Sequence, residues 1–215
     1  MTMLSPSRIR PAALGLALAA LTGAALAAIL APAAHAGDPV LADRWSAGSG
    51  REPFHKVLVV AITRNAPARR HYEDLFVSQI RGREEQGITS YPIVPDLEHP
   101  GDREKVLETL FAGGVDGVIT ARAVSLDDRK ESEWAEAWRK EVTSSVAIRP
   151  YVSEALQNLH PDAKLLGIEF ALWDVQTGQR LWAGRSVPVK IKKLRKYANL
   201  LVQDVMTQLI FEDRL

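Results

Sequence analysis

"HKVLVVAI", His55 to Ile62, is an unbroken apolar run rich in β-branched residues. A strand with one wet face alternates apolar and polar residues, whereas a run this short without alternation marks a strand buried on both faces. Such a strand needs helices above and below it, so the expected class is α/β. Its neighbours agree. Asn65 and Pro67 mark a helix start, and Tyr72, Leu75, Phe76 and Ile80 recur at helical spacing up to Gly82. "ITSYPIVP", Ile88 to Pro95, reads as a short strand at an edge or irregular position, because Pro92 has no N–H to donate. Asp102 is placed to cap a second helix, with Val106, Leu107, Leu110 and Phe111 on its buried side and Gly113-Gly114 as its stop. "VDGVITARAV", Val115 to Val124, is the next strand.

The stretch from Ser125 to Asp162 is less regular. Glu131 to Val146 is compatible with a helix that sets Trp134 and Trp138 one turn apart, and Ser144-Ser145 and Pro150 obscure its end, so a mobile insertion is the other reading. From Lys164 a hairpin follows. Asp174 and Gly178 bracket its turn, and the returning arm runs from Gln179 to Val189. A loop over Val175 to Gly178 pairs Leu172 with Leu181. That register gathers Ile168, Phe170, Leu172, Leu181 and Ala183 on one face and puts Trp173 and Trp182 together on the other, beside Arg180 and Glu169. A helix from Leu194 to Phe211 closes the chain, with Leu194, Ala198, Leu201, Val205 and Leu209 on one side. The expected architecture is a single mixed sheet with helices packed on it and a C-terminal β-hairpin followed by a helix.

The N-terminal residues set the expected compartment. Arg8 and Arg10 precede an apolar stretch from Ala12 to Ala31, and Ala34-His35-Ala36 supplies a small-x-small cleavage pattern. Residues 1–36 therefore read as a signal peptide cleaved after Ala36, 37–54 as a flexible lead rich in Gly, Ser and Ala, and 55–215 as a single α/β domain. An uncleaved membrane anchor is the rival reading, since about 20 apolar residues span a bilayer. Paired arginines are absent from the leader, which favours the general secretion route to the periplasm. The chain has no cysteine, so neither a disulfide nor a lipid-bearing cysteine is available. Its 27 basic and 26 acidic residues nearly cancel, and Arg8 and Arg10 lie in the leader. Such a balance argues against nucleic acid as a partner, which demands a concentrated basic surface.

Few motifs carry chemistry. Trp173 and Trp182 are either covered by a helix, each burying on the order of 150–250 Å², or form a shelf on which Arg180 stacks. Helices on both faces of the sheet favour covering. "KIKKLRK", Lys190 to Lys196, holds five cations: Lys190, Lys192, Lys193, Arg195 and Lys196. Cations at a helix start oppose its dipole, so they answer either an anionic partner, a phospholipid surface or an acidic protein patch, or solvent alone at a strand end. His55, His71, His99 and His160 show no metal spacing, and Asp96, Glu98 and His99 read as a solvated loop; no metal or cofactor is expected. Gly113, Gly114 and Gly117 follow a helix and precede a strand, the reverse of a phosphate loop. Ser144-Ser145 lies near no base or oxyanion signature.

"KVLVVAITRNAPARRHYEDLFVSQI", "GITSYPIVP", "GVDGVITARAV" and "LWDVQTGQRLWAG", in this order, resemble a group of small bacterial envelope proteins similar in fold to the N-terminal domain of TolB, the curli secretion protein CsgG and the penicillin-binding-protein activator LpoB. The resemblance spans Lys56 to Leu209. It rests on the Arg-x-x-Tyr-Glu-Asp helix start at Arg69 to Asp74, the Asp-Gly strand at Asp116, and the Thr-Gly-x-x-x-Trp hairpin at Thr177 to Trp182. Members often carry a lipid-bearing cysteine, which is lacking here, and the resemblance implies no catalytic residues. The expected function is that of an exported, non-enzymatic protein that binds another envelope component, with Trp173, Trp182, Arg180 and the Lys190 to Lys196 cations as candidate surface. The alternatives are a peripheral binder of anionic membrane through Lys190 to Lys196, and a small-ligand protein or enzyme with a pocket near Trp134, Trp138 or the hairpin.

Overall fold

The computed structural model describes residues 40–48, 52–80, 85–97, 108–110, 112–144, 148–157 and 162–215. Their strands are β1 (Leu41–Ser46), β2 (Lys56–Ile62), β3 (Gln86–Thr89), β4 (Gly117–Ser125), β5 (Leu165–Asp174), β6 (Arg180–Ser186) and β7 (Val189–Lys190). They form one sheet in the order β1-β6-β5-β4-β2-β3, with β7 pairing β5 as a short continuation beyond β6. β2 runs parallel to both β3 and β4, and the remaining pairs are antiparallel. The helices are α1 (Ala66–Ile80), α2 (Glu131–Val142), α3 (Ile148–Gln157) and α4 (Ile191–Phe211), and Glu108–Leu110 and Ala112 are also helical. Among the described residues no helix is long and apolar enough to cross a membrane.

The β2 run is buried on both faces, as its composition requires. Val57 and Val59 join α1, α4 and one face of β5 in one core cluster, and Leu58, Val60 and Ile62 join α2 and α3 in another. The described residues thus form a mixed sheet between two helical layers. Asn65 caps α1, its Oδ1 accepting from the Ala68 N–H at 2.9 Å. Gly114, at φ +70, ends the helical turn before β4.

The quoted signatures have structural causes. On α1, the carboxylate of Glu73 is fully buried and accepts from the N–H groups of Ala61, Ser90 and Tyr91, from the Ser90 hydroxyl and from Arg69 Nε. Arg69 in turn donates to the Pro95 carbonyl and the Ser90 hydroxyl. The pair fastens the turn after β3 to α1. Asp116 accepts from the backbone N–H of His55 and Lys56, both at 2.9 Å. A side chain on the following Gly117 would meet the Phe54 ring at 2.7 Å.

Three expectations change. The segment read as a flexible lead contains β1, paired with β6. Leu41, Asp43 and Trp45 are half-buried, Leu41 against the first core cluster and Trp45 against the second, and an acid between them hides the alternation; Asp43 is tolerated there because Arg185 donates to it at 2.7 Å. The pairing also slips between Leu41 and Asp43, a bulge. Second, the region after Ser125 keeps the expected helix from Glu131, as α2, and adds another, α3. Pro150 sits in the first turn of α3, where a missing N–H breaks no helical bond.

Third, the hairpin register is not uniform. Asp174 N–H donates to Gln179 O and Trp173 pairs with Arg180 as expected, but a bulge then shifts the ladder so that Leu172 faces Trp182. Leu181 is the extra residue, and its carbonyl accepts from Ala47 beyond β1. Trp173 and Trp182 therefore occupy opposite faces, each completely buried.

Candidate ligand-binding cleft

On the face shared by α1 and α4, the inward positions change character along each strand. Val57, Val59 and Ile119 fill one end of the layer, whereas Ala61 on β2 and Ala121 and Ala123 on β4 leave the other end shallow. Ala68 and Ala198 do the same from α1 and α4. Where side chains stop at Cβ, close packing fails unless the backbones approach. The result is a cleft of about 470 Å³ at the carboxyl ends of β2 and β4. This end of parallel strands is where α/β sheets commonly receive ligands, and the volume falls within the range of about 300–1,000 Å³ usual for small-molecule sites.

Its walls are apolar. Phe76 from α1, Ile168 and Phe170 from β5, and Ile191, Leu194 and Leu201 from α4 line most of it. Polar groups gather at the loop into α1, where Thr63, Arg64 and Asn65 border the opening, with Tyr72 and Ser125 nearby. Burial pushes the Tyr72 hydroxyl above its ordinary pKa of 10, which keeps it a neutral donor and acceptor. Arg122 borders the cleft but carries its guanidinium to the opposite face. Among the described residues no carboxylate, imidazole or thiol lines the cavity.

The predicted cations lie beside it. Lys190 is the last residue of β7, and Lys192, Lys193, Arg195 and Lys196 stand exposed on the first two turns of α4. The helix begins three residues earlier than its apolar periodicity suggested. Ile191 is 43% exposed at the cleft margin. With residues 100° apart on the helix, Arg195 flanks the stripe of Ile191, Leu194 and Ala198 that lines the cavity, and Lys192 follows it. The first turn contains no acid, and none of these cations has a carboxylate partner among the described residues.

The other predicted residues belong to the opposite layer. Trp173 lies under α3, its ring 5.1 Å from that of Tyr151, with its Nε1 donating to Thr120 at 3.0 Å. Arg180 stacks over the Trp173 ring at 5.3 Å, but inside the molecule, where it donates to the carbonyl of Glu141. Arg122 donates to Glu169 and Glu141 and lies over the Tyr151 ring at 4.1 Å. Burial pulls on the Arg122 proton, but the charges of Tyr151, Glu169 and Glu141 outweigh it and hold the group above the ordinary arginine range. Trp134 donates from Nε1 to Glu169 at 2.6 Å and Trp138 is buried beside it. The space around Trp134, Trp138 and the hairpin is thus filled by packed rings and this ion-pair network, and Trp182 is filled in on the first face, with Nε1 donating to Glu212. Glu98 and His99 lie outside the described residues, among which no three His, Cys, Asp or Glu gather into a cation site.

The sequence matches no protein family and no curated protein. Among solved structures it is similar to the PelC dodecamer from Paraburkholderia phytofirmans, at 14% identity over 78% of this chain and 94% of that one, with a TM-score of 0.42. A Leu-to-Met variant of the same PelC dodecamer aligns at 13% identity over 77% and 94%, with a TM-score of 0.41.

The alanines that make the cleft were missed in the sequence. The available signal was the fall from Ile119 to Ala121 and Ala123 on one face of a strand otherwise rich in bulky residues.

Proposed function

We propose that this is an exported, non-enzymatic binding protein of the cell envelope that engages another envelope component through the face formed by α1 and α4. The observation that carries the reading is an apolar cleft whose described lining offers no general base, acid or activated nucleophile, set beside a cluster of exposed cations. The apolar leader ending in Ala34-His35-Ala36 supports export. A photo-crosslinker placed at Ile191 in the full chain, irradiated in native envelope, tests it. Adducts at Ile191 and none at exposed Glu136 on α2 are expected; equal labelling at the two positions, or none at either, would overturn the proposal.

The second reading, contact with an anionic membrane surface, is favoured by the absence of described carboxylate partners for Lys192, Lys193, Arg195 and Lys196. Each basic residue near such a surface contributes about 1 kcal/mol. Co-sedimentation with phosphatidylglycerol vesicles is then expected at low salt and lost at high salt. Sedimentation indifferent to salt would sink it.

A further inference from the structure

We propose that the cleft holds the hydrocarbon chain of an anionic amphiphile, with the chain between α1 and α4 and the head group against the cations at the start of α4. The proposal rests on the α1/α4 face being the working surface and names what that face takes. Three observations converge on it. The cavity is lined by hydrocarbon from Phe76, Ile168, Phe170, Leu194 and Leu201, so a wholly polar ligand would leave those walls unmatched. Four exposed cations without described partners stand on the helix that forms one wall, so an uncharged ligand would leave their mutual repulsion unrelieved. Ile191 and Leu194 face the cavity while Lys192, Lys193 and Arg195 alternate with them in sequence. One turn of α4 therefore presents both an apolar and a cationic surface.

Size decides between a small amphiphile and a protein segment. A docked helix or strand would need an elongated groove burying on the order of 600 Å² or more per partner, whereas this cavity of about 470 Å³ has small-molecule dimensions. The start of α4 adds a further attraction for an anion, because the partial positive charge of a helix N-terminus sums with its side chains.

The test measures uptake by the full chain of laurate, of dodecanol and of inorganic phosphate, by calorimetry and native mass spectrometry. Laurate is expected to bind one per chain, dodecanol roughly tenfold more weakly for want of its charge, and phosphate not at all. Ala123→Ile, which fills the floor, is expected to weaken laurate at least about tenfold while leaving the far-UV spectrum unchanged. Should that variant misfold, Lys192→Gln with Arg195→Gln alters only exposed positions; it is expected to lower laurate affinity roughly tenfold and leave dodecanol untouched. Laurate uptake indifferent to both variants, or phosphate binding as tightly as laurate, would overturn the proposal. So would binding to phosphatidylglycerol vesicles with no uptake of monomeric amphiphile, or a dimer abolished by Ala123→Ile, which would make a second copy the occupant. Adducts at Ile191 in native envelope together with no laurate uptake would defeat the amphiphile and leave the binding face intact; loss of both would defeat both.

Discussion

At the residue scale, the buried polar groups decide most. Glu73 accepts hydrogen bonds from β2, α1 and the turn after β3, so Glu73→Ala leaves Arg69 buried without its countercharge. A loss of about 3–5 kcal/mol in urea unfolding is expected. Asp74, next along and exposed, accepts only from the Tyr91 hydroxyl among the described residues, and Asp74→Ala is expected to cost less than about 1 kcal/mol. The same Arg-x-x-Tyr-Glu-Asp pattern was visible in the sequence, but its meaning was not: adjacent acids look alike until the fold buries one of them. Gly167 is the second case. A methyl there collides with the Trp134 indole, so Gly167→Ala is expected to destabilise by about 1–3 kcal/mol and to shift the near-ultraviolet dichroism of that indole.

Among elements, α4 is the most informative. Lys192 and Lys193 occupy its first turn, where the dipole favours acids. Replacing both with Glu is expected to stabilise the protein by about 0.3–1 kcal/mol per site and raise Tm by a few degrees, while weakening capture of an anionic ligand. Stability and binding moving together would contradict that assignment. This helix and the strands β2, β4, β5 and β6 were legible because burial on one or two faces imposes a period on the sequence, whereas half-buried β1, with Asp43 and a bulge in it, was not. Two further things resisted. The hairpin slip depends on Leu181, whose carbonyl accepts from Ala47, just past β1 and far away in the sequence, so no local pattern encodes it. The cleft is made of atoms that are missing at Ala61, Ala121 and Ala123, and reading for charges and aromatic rings passes over alanine.

At the scale of the whole molecule, the layer beneath α2 and α3 ties stability to alkaline pH. Tyr151 is buried, which raises its hydroxyl pKa well above the ordinary value of 10; the nearby Glu169 and Glu141 charges raise it further, and Arg122 and Arg180 oppose the shift. Above pH 10 the unfolded chain releases this proton and the native protein keeps it. The unfolded state then binds fewer protons, so stability falls as pH rises past about 10. Tyr151→Phe removes that contribution, and unfolding free energy measured from pH 9 to 11 is expected to fall less steeply in the variant. Equal slopes would show that the network does not hold the proton.

The sheet's outer margins carry a last consequence, for behaviour at high concentration. β3 is only four residues long and is soon followed by Pro92, and β1 is bulged and bears Asp43 and Arg44. Short, kinked and charged borders give a foreign strand little to zip onto, so dense solutions should stay free of thioflavin-positive fibres while the native fold persists.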